Sequence, residues 1–321
     1  MEVGLEVDGT KEKINMKSPV VIVASILCLM SCQNSMDDSL GQCRTLSFFV
    51  PAFEEVDQPL TKTNIVNSTN FVWSASDTVG IYPNSGGQVF FSMSEGAGAQ
   101  YATFDGGGWA FRQSSLYYGY YPFVGDIYLQ RDYIPVSYRY QRQNGINSTE
   151  HIGSKDYMST APTSSFGDAL NFIFNHLSCI IRPRLTLPAG IYTKLSIVID
   201  EPLFVMDGYY SLLDENPEIV GTSFSNTIDL FLDNIILSEQ TQFLTYVMAA
   251  PVELTGRKVK IIVYDNAGNQ FEYEKTPSFT YSAGKICGLT CTEYTSSPVG
   301  GVVVGGDDEN MMGDDSIVIH M

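Results

Sequence analysis

Histidine, cysteine and carboxylate are the side chains here that could do chemistry, and their spacing decides how much. The three histidines, His151, His176 and His320, lie far apart, and none stands at metal-ligand spacing from another. His176 falls on the apolar side of an alternating run, the place of a core histidine whose ring is satisfied by its neighbours. No Gly-x-Ser-x-Gly elbow, Walker loop or Gly-x-Gly-x-x-Gly strand-to-helix fingerprint occurs. Aspartate and glutamate number 36 against 18 lysines and arginines, so an acid pair of glycosidase type could be drawn almost anywhere and singles out nothing. Asp307, Asp308 and Glu309 are consecutive and lack the alternating ligands of a calcium loop; solvated charge accounts for them. These residues point to no catalytic centre, no metal and no cofactor.

The six cysteines fall into two groups. Cys28 and Cys32 belong to a leader: Met16-Lys-Ser-Pro, an apolar run from Val20 to Met30 broken by Ser25, then Ser31-Cys32. That run is shorter than the roughly 20 apolar residues of a bilayer-spanning helix. A basic start, a short apolar stretch and a small residue before the cut make an export signal. Ser31-Cys32 resembles the end of a bacterial lipoprotein signal, which implies cleavage before the cysteine and a lipid on its thiol. Residues 1–31 are then signal, Cys32 is the anchor, and 32–44 is a lipidated linker. Met1 to Asn15 carries Glu2, Glu6, Asp8 and Glu12 where a signal should be basic, so translation is expected to start at Met16. Asp37-Asp38 resembles an acidic surface-export signal; a solvated linker is the plain alternative. Cys43, Cys179, Cys287 and Cys291 allow three pairings. Cys287 and Cys291, four apart in an extended run, would stand ~13 Å apart, too far to bridge each other. Buried free thiols acting as small hydrophobes are the default.

A net charge of -18 repels phosphate backbones and excludes nucleic acid as a partner. It also disfavours an anionic leaflet, so membrane contact must come through the lipid. The elements that position everything are strands. Only 17% of residues are charged, tyrosine (19) and phenylalanine (18) are abundant, and short aromatic and β-branched runs alternate with turn residues. Leu46 to Phe53, Val79 to Tyr82, Val89 to Ser92, Leu116 to Tyr121, Lys194 to Ile199 and Leu244 to Ala249 are expected as strands in an all-β fold. The clearest hairpin joins Lys258–Tyr264 to Gln270–Glu274 through Asp265-Asn-Ala-Gly-Asn269, with Gly268 supplying the loop's unusual backbone angles. Phe166 to Leu177 has period two and reads as strand, not helix. Without the leader, the chain is long enough for about two domains at ~150 residues each, with a boundary near Tyr157 to Gly167. After Tyr294 the tail holds two β-branched pieces, Val302 to Val304 and Ile317 to Met321, among glycines and acids; their composition predicts pairing, not disorder.

Several segments together resemble the fimbrillin family of Bacteroidales, the subunits of surface pili. They are the leader ending at Cys32, Asn70-Phe-Val-Trp-Ser-Ala-Ser-Asp-Thr-Val-Gly-Ile-Tyr82, Ala102-Thr-Phe-Asp-Gly-Gly-Gly-Trp-Ala110, and Tyr117-Tyr-Gly-Tyr-Tyr-Pro122. Asp156-Tyr-Met158, Leu170-Asn-Phe-Ile-Phe-Asn-His-Leu177 and Phe279-Thr-Tyr-Ser-Ala-Gly-Lys285 follow in the family's order. The resemblance implies two transthyretin-like β-sandwich domains, 45–165 and 166–294, then a C-terminal tail, 295–321. It implies a non-enzymatic subunit that assembles with other fimbrial subunits, is lipid-anchored at the outer membrane, and supports adhesion to a host or bacterial surface ligand.

It also implies a mechanism. A trypsin-like protease removes the first strand, and a strand from a neighbouring subunit, commonly its tail, takes the groove. Here the first strand would be Thr45 to Phe53. Lys62 is the only lysine or arginine between Arg44 and Arg112, which puts the cut between Lys62 and Thr63, where the family more often has arginine. An exposed loop lysine is the alternative reading. Val302, Val303, Val304, Ile317, Ile319 and Met321 would be donor residues, or would pair within their own subunit. A glycan-binding surface lipoprotein is the competing function, if Trp73 and Trp109 stack on sugars and do not fill cores.

Overall fold

Alternating side chains become strands throughout, and one 3-10 turn, Gly153–Lys155, is the only helical element among the described residues. The computed structural model describes residues 44–56, 72–106, 114–126, 128–164, 170–297, 302–303 and 318–319. The chain opens with β1 (Arg44–Phe49) and the short β2 (Glu54–Val56), which belong to different sheets. Next come β3 (Thr78–Pro83), β4 (Val89–Glu95), β5 (Tyr101–Gly106) and β6 (Tyr117–Tyr121). β7 (Ile134–Ser137) and β8 (Gln141–Asn144) leave that sheet, and β9 (Met158–Thr160) and β10 (Asn171–His176) return to it. The order β1-β10-β9-β6-β3-β4-β5 closes into a barrel because β5 pairs with β1.

The rest of the chain forms β11 (Cys179–Leu187), β12 (Gly190–Ile199), β13 (Phe204–Tyr210), β14 (Val220–Ser225), β15 (Thr227–Leu237), β16 (Thr241–Leu244) and β17 (Val247–Ala249). It continues through β18 (Val259–Asp265), β19 (Gln270–Lys275), β20 (Lys285–Cys291) and β21 (Thr295–Ser297). One sheet runs β16-β11-β20-β2 with β17 also on β11, a second runs β21-β19-β18-β12-β15-β8, and a third runs β14-β13-β7. In the tail, β22 (Val302–Val303) pairs with β23 (Val318–Ile319). The fold is all-β, as the sequence indicates. Strands cross the middle of the chain in both directions: β7 and β8 join later sheets, while β10 joins the barrel.

The expected hairpin forms, with Val259 opposite Lys275 through Tyr264 opposite Gln270. Val259, Ile261, Val263 and Tyr273 are fully buried. Gly268 has φ +84°, and Asp265 caps the loop by accepting the Asn269 N–H at 2.7 Å. Two expected strands are interrupted, each by a proline. Leu46 to Phe53 stops being strand at Phe49, just before Pro51, which has no N–H to give a ladder. Leu244 to Ala249 divides into β16 and β17 opposite Pro183 of β11. The register continues across the gap, and Thr245 N–H still reaches the Pro183 carbonyl at 3.0 Å, but Pro183 returns no bond.

Two apolar cores result. Leu46, Phe48, Val50, Trp73, Ile81, Phe91, Phe104, Phe172 and Phe174 fill the barrel, and a larger core lies among the later sheets. Tyr120 stands opposite Gly80 across the β3–β6 ladder and covers it, so a Cβ there would fall within the ring. Phe48 is the barrel's hub: completely buried, edge-on to Phe104 at 4.8 Å and stacked with Phe172 at 5.1 Å and Phe174 at 5.7 Å. Phe48→Ala therefore costs about 3–5 kcal/mol. Denaturant unfolding of the full chain should show it as a lower midpoint, and a change below about 1 kcal/mol would contradict this packing.

Candidate functional site

Cys32, Lys62 and Thr63 lie outside the described residues, as do Cys43, Trp109, Val304, Ile317, His320 and Met321. Of the tail residues, Val302 stands opposite Ile319 and Val303 opposite Val318. Trp73 is 1% exposed, edge-on to Phe104, Tyr121 and Phe174, and its indole N–H donates to the Gln100 carbonyl at 3.1 Å. That puts its faces out of reach of a sugar. Cys179 and Cys291 are buried free thiols; burial pushes Cys291 up to about 12 and Cys179 well above its ordinary value. Cys287 is buried on the same strand as Cys291. His151 is held by the Tyr246 carbonyl at 2.7 Å, and burial lowers its pKa, so it is neutral. Among the described residues no cluster of His, Cys, Asp or Glu is arranged to hold a metal.

The structure brings polar groups together at the segment 44–56, which threads both cores. Its first half is β1. One edge runs antiparallel to β5, from Arg44 opposite Gly106 to Phe49 opposite Tyr101. The other runs parallel to β10, with Ser47 opposite Asn171 and Phe49 opposite Ile173. Leu46, Phe48 and Val50 point inward, and Val50 N–H donates to the Gln100 carbonyl at 3.0 Å. After Pro51 the chain crosses to the larger core, where Phe53 is 3% exposed, and β2 pairs in parallel with β20.

Charged groups fix this second half. Lys285 pairs with Glu54, directly opposite it on β20. Glu55 pairs with Arg182 of β11, whose side chain is only 3% exposed. At the crossing, His176 at the end of β10 donates from Nε2 to the Pro51 carbonyl at 2.9 Å, while its Nδ1 lies 2.8 and 2.9 Å from the carboxylate oxygens of Asp156. The Phe53 ring packs on the imidazole, centroids 3.9 Å apart. The Pro51 carbonyl only accepts, so Nε2 carries a proton, and beside an ionised Asp156 the ring donates from both nitrogens as an imidazolium. Burial alone would lower its pKa. The Asp156 charge and hydrogen bond, with the Pro51 carbonyl, outweigh burial and hold it above 6.5.

Sequence reasoning placed His176 in a core and missed its partners. Asp156 was visible only as part of the Asp156-Tyr-Met158 resemblance, and Glu54, Glu55, Arg182 and Lys285 carried no local signal. As a whole the arrangement is a seat for one extended segment. Two strand edges and an apolar trough hold its first half, and three cationic side chains hold its second.

No family model and no curated protein matches the sequence. Solved structures from Bacteroidales do align with it. A candidate cell adhesion protein from Bacteroides ovatus aligns over 81% of this chain and 97% of its own, at 14% identity and TM-score 0.47. The tip fimbrial protein Mfa3 of Porphyromonas gingivalis, truncated at its C-terminus, aligns over 79% of this chain and 100% of its own, at 11% identity and TM-score 0.38. A fimbrial protein from Bacteroides ovatus aligns over 80% of this chain and 50% of its own, at 10% identity and TM-score 0.35.

The raised pKa of His176 fixes the sign of a pH effect. The folded imidazole keeps its proton above 6.5, where the unfolded one loses it, so its stabilisation is complete below pH 6.5 and is lost as pH rises through the folded value. Burial raises Asp156 against the pull of His176, which adds a decline of the same sign in the acid range above 3.8. Denaturation midpoints from about pH 6 to 9 should fall in the native protein. In His176→Gln the decline above 6.5 should vanish, on a background about 3–5 kcal/mol less stable at pH 6. A flat native profile would contradict the imidazolium assignment.

Proposed function

We propose that this chain is a structural or accessory subunit of a cell-surface fimbria, exported as a lipoprotein on Cys32. After cleavage between Lys62 and Thr63, the segment before the cut yields its place to a strand from another subunit. The outer membrane, reached through the lipid, and other fimbrial subunits are its partners, and adhesion to a surface ligand is its role. Two domains, 45–165 and 166–294, belong to the same reading, with β7, β8 and β10 joining sheets across that division.

The observation that carries this reading is the position of β1. It is the N-terminal strand among the described residues, yet it is paired on both edges. Withdrawing it would open the barrel and leave two facing rows of backbone donors and acceptors beside the trough of Phe104, Phe172 and Phe174. Such a gap is the receptor for β-strand addition, in which main-chain bonds give affinity and side-chain pockets give specificity. Lys62 follows Val56, the last residue of β2, by six positions. A single cut there severs β1 and β2 together from everything after them. Burial of Trp73 disfavours the glycan-binding alternative.

Limited trypsin treatment of purified full-length protein tests the proposal. Mass spectrometry should find the cut after Lys62, and native gels should then show a ladder of oligomers. Lys62→Ala should stay intact and monomeric. Chain cut at Lys62 that remains monomeric would overturn strand exchange between copies.

A further inference from the structure

Surface tyrosines offer what the buried Trp73 cannot. The outward face of the sheet β14-β13-β7 carries two rows of side chains, two positions and so ~7 Å apart along the strands. In the first row Tyr209 of β13 stands between Pro135 of β7 and Val220 of β14. Tyr133, just before β7, stacks on Tyr209 with ring centroids 4.4 Å apart and is itself 49% exposed. One face of that ring lies on Tyr209, and the other is left to solvent. In the second row Asp207 stands between Ser137 and Ser223. Asp207 accepts from Arg139 Nε at 2.7 Å and from Ser137 Oγ at 2.9 Å, and Arg139 donates on to Ser223 Oγ at 2.9 Å. Both charged side chains are partly exposed.

Tyr140 marks the far end. It directly follows Arg139, is 84% exposed, and holds φ at +58°, a left-handed angle that a bulky side chain adopts only at a cost. Glycine would meet that angle freely, and a ring in solvent gains no packing to offset it. Strain kept on an exposed aromatic residue points to a ligand. Along residues 133–140 the strip is aromatic, then polar, then aromatic. A protein interface would need a contiguous apolar patch, which the polar row interrupts. Arg139 and Asp207 neutralise each other, so no ion is favoured, whereas hydroxyl groups both donate and accept and therefore suit the pair and its two serines. Sugar rings carry hydroxyls at the edge and an apolar C–H face that packs on an aromatic ring.

Resting on the adhesive role proposed above, we propose that the surface ligand is a neutral oligosaccharide bound along this strip. One sugar stacks on the outer face of Tyr133, the next sets its hydroxyls on Asp207, Arg139, Ser137 and Ser223, and a further one reaches Tyr140. None of these residues belongs to the segment 44–56 or pairs with its strands, so ligand binding and strand exchange can be tested apart.

Full-length protein is screened on an array of neutral and sialylated oligosaccharides, then titrated with the free sugar that binds. Neutral oligosaccharides should bind, and Tyr133→Ala, Tyr140→Gly and Asp207→Asn should each weaken binding by about tenfold. Ile236→Ala, exposed on another sheet, should leave it unchanged. Tyr140→Gly should also keep or raise the denaturation midpoint, because it relieves the left-handed angle, and a misfolded variant could not do so. Absence of binding to every neutral oligosaccharide, preference for the sialylated ones, or binding that survives both tyrosine substitutions would overturn the site. The fimbrial reading fails separately. If trypsin-cut chain stays monomeric while sugar binding still depends on Tyr133 and Tyr140, strand exchange falls and this site stands.

Discussion

Closure of the barrel depends on one strand. An open six-stranded sheet would present two raw edges, each a template for unwanted pairing. β1 covers both, lying antiparallel on β5 and parallel on β10. The same strand supplies Phe48, around which the ring cluster is arranged. The rest of the barrel is thus complete except at this position. Backbone pairing and core packing both converge on residues that lie before a long stretch of chain carrying a single lysine.

Past Pro51 the physics changes. β1 is held by apolar burial and ladder bonds, whereas Pro51 to Val56 adds charge to the burial of Phe53 and the short β2–β20 ladder: a histidine ring on the Pro51 carbonyl, an ammonium on Glu54 and a guanidinium on Glu55. The anchoring cations come from the consecutive strands β10 and β11 and from β20, much later in the chain, which converge where the chain passes from one core to the other. Asp156 completes the set by balancing His176, and together they keep a charged ring buried within 2.9 Å of the backbone it holds.

Much of this was legible in the residues. Period-two alternation placed the 258–274 hairpin and the inward face of Val259, Ile261, Val263 and Tyr273, because each side chain's face follows from parity alone. The same parity put Leu46, Phe48 and Val50 inward, and it placed His176 in the interior. The seat itself was not legible. β2 is three residues long and meets β20 in parallel more than two hundred residues later, a pairing that no local pattern encodes. Glu54 and Glu55 look like solvated acids until Lys285 and Arg182 are brought opposite them. The two interrupted strands show a different limit: hydropathy continues through Pro51 and Pro183, but the missing N–H groups break the ladders there.

The division of the seat into apolar and ionic halves has an energetic consequence. Burying a side chain such as Phe48 gives a large stabilisation that depends on volume and shape and not on charge. A buried guanidinium acts differently. Its desolvation cost roughly offsets its attraction to a correctly placed carboxylate, so the pair adds little net stability. Arg182 therefore contributes little to how tightly the segment is held, and most of the hold comes from the apolar half around Phe48.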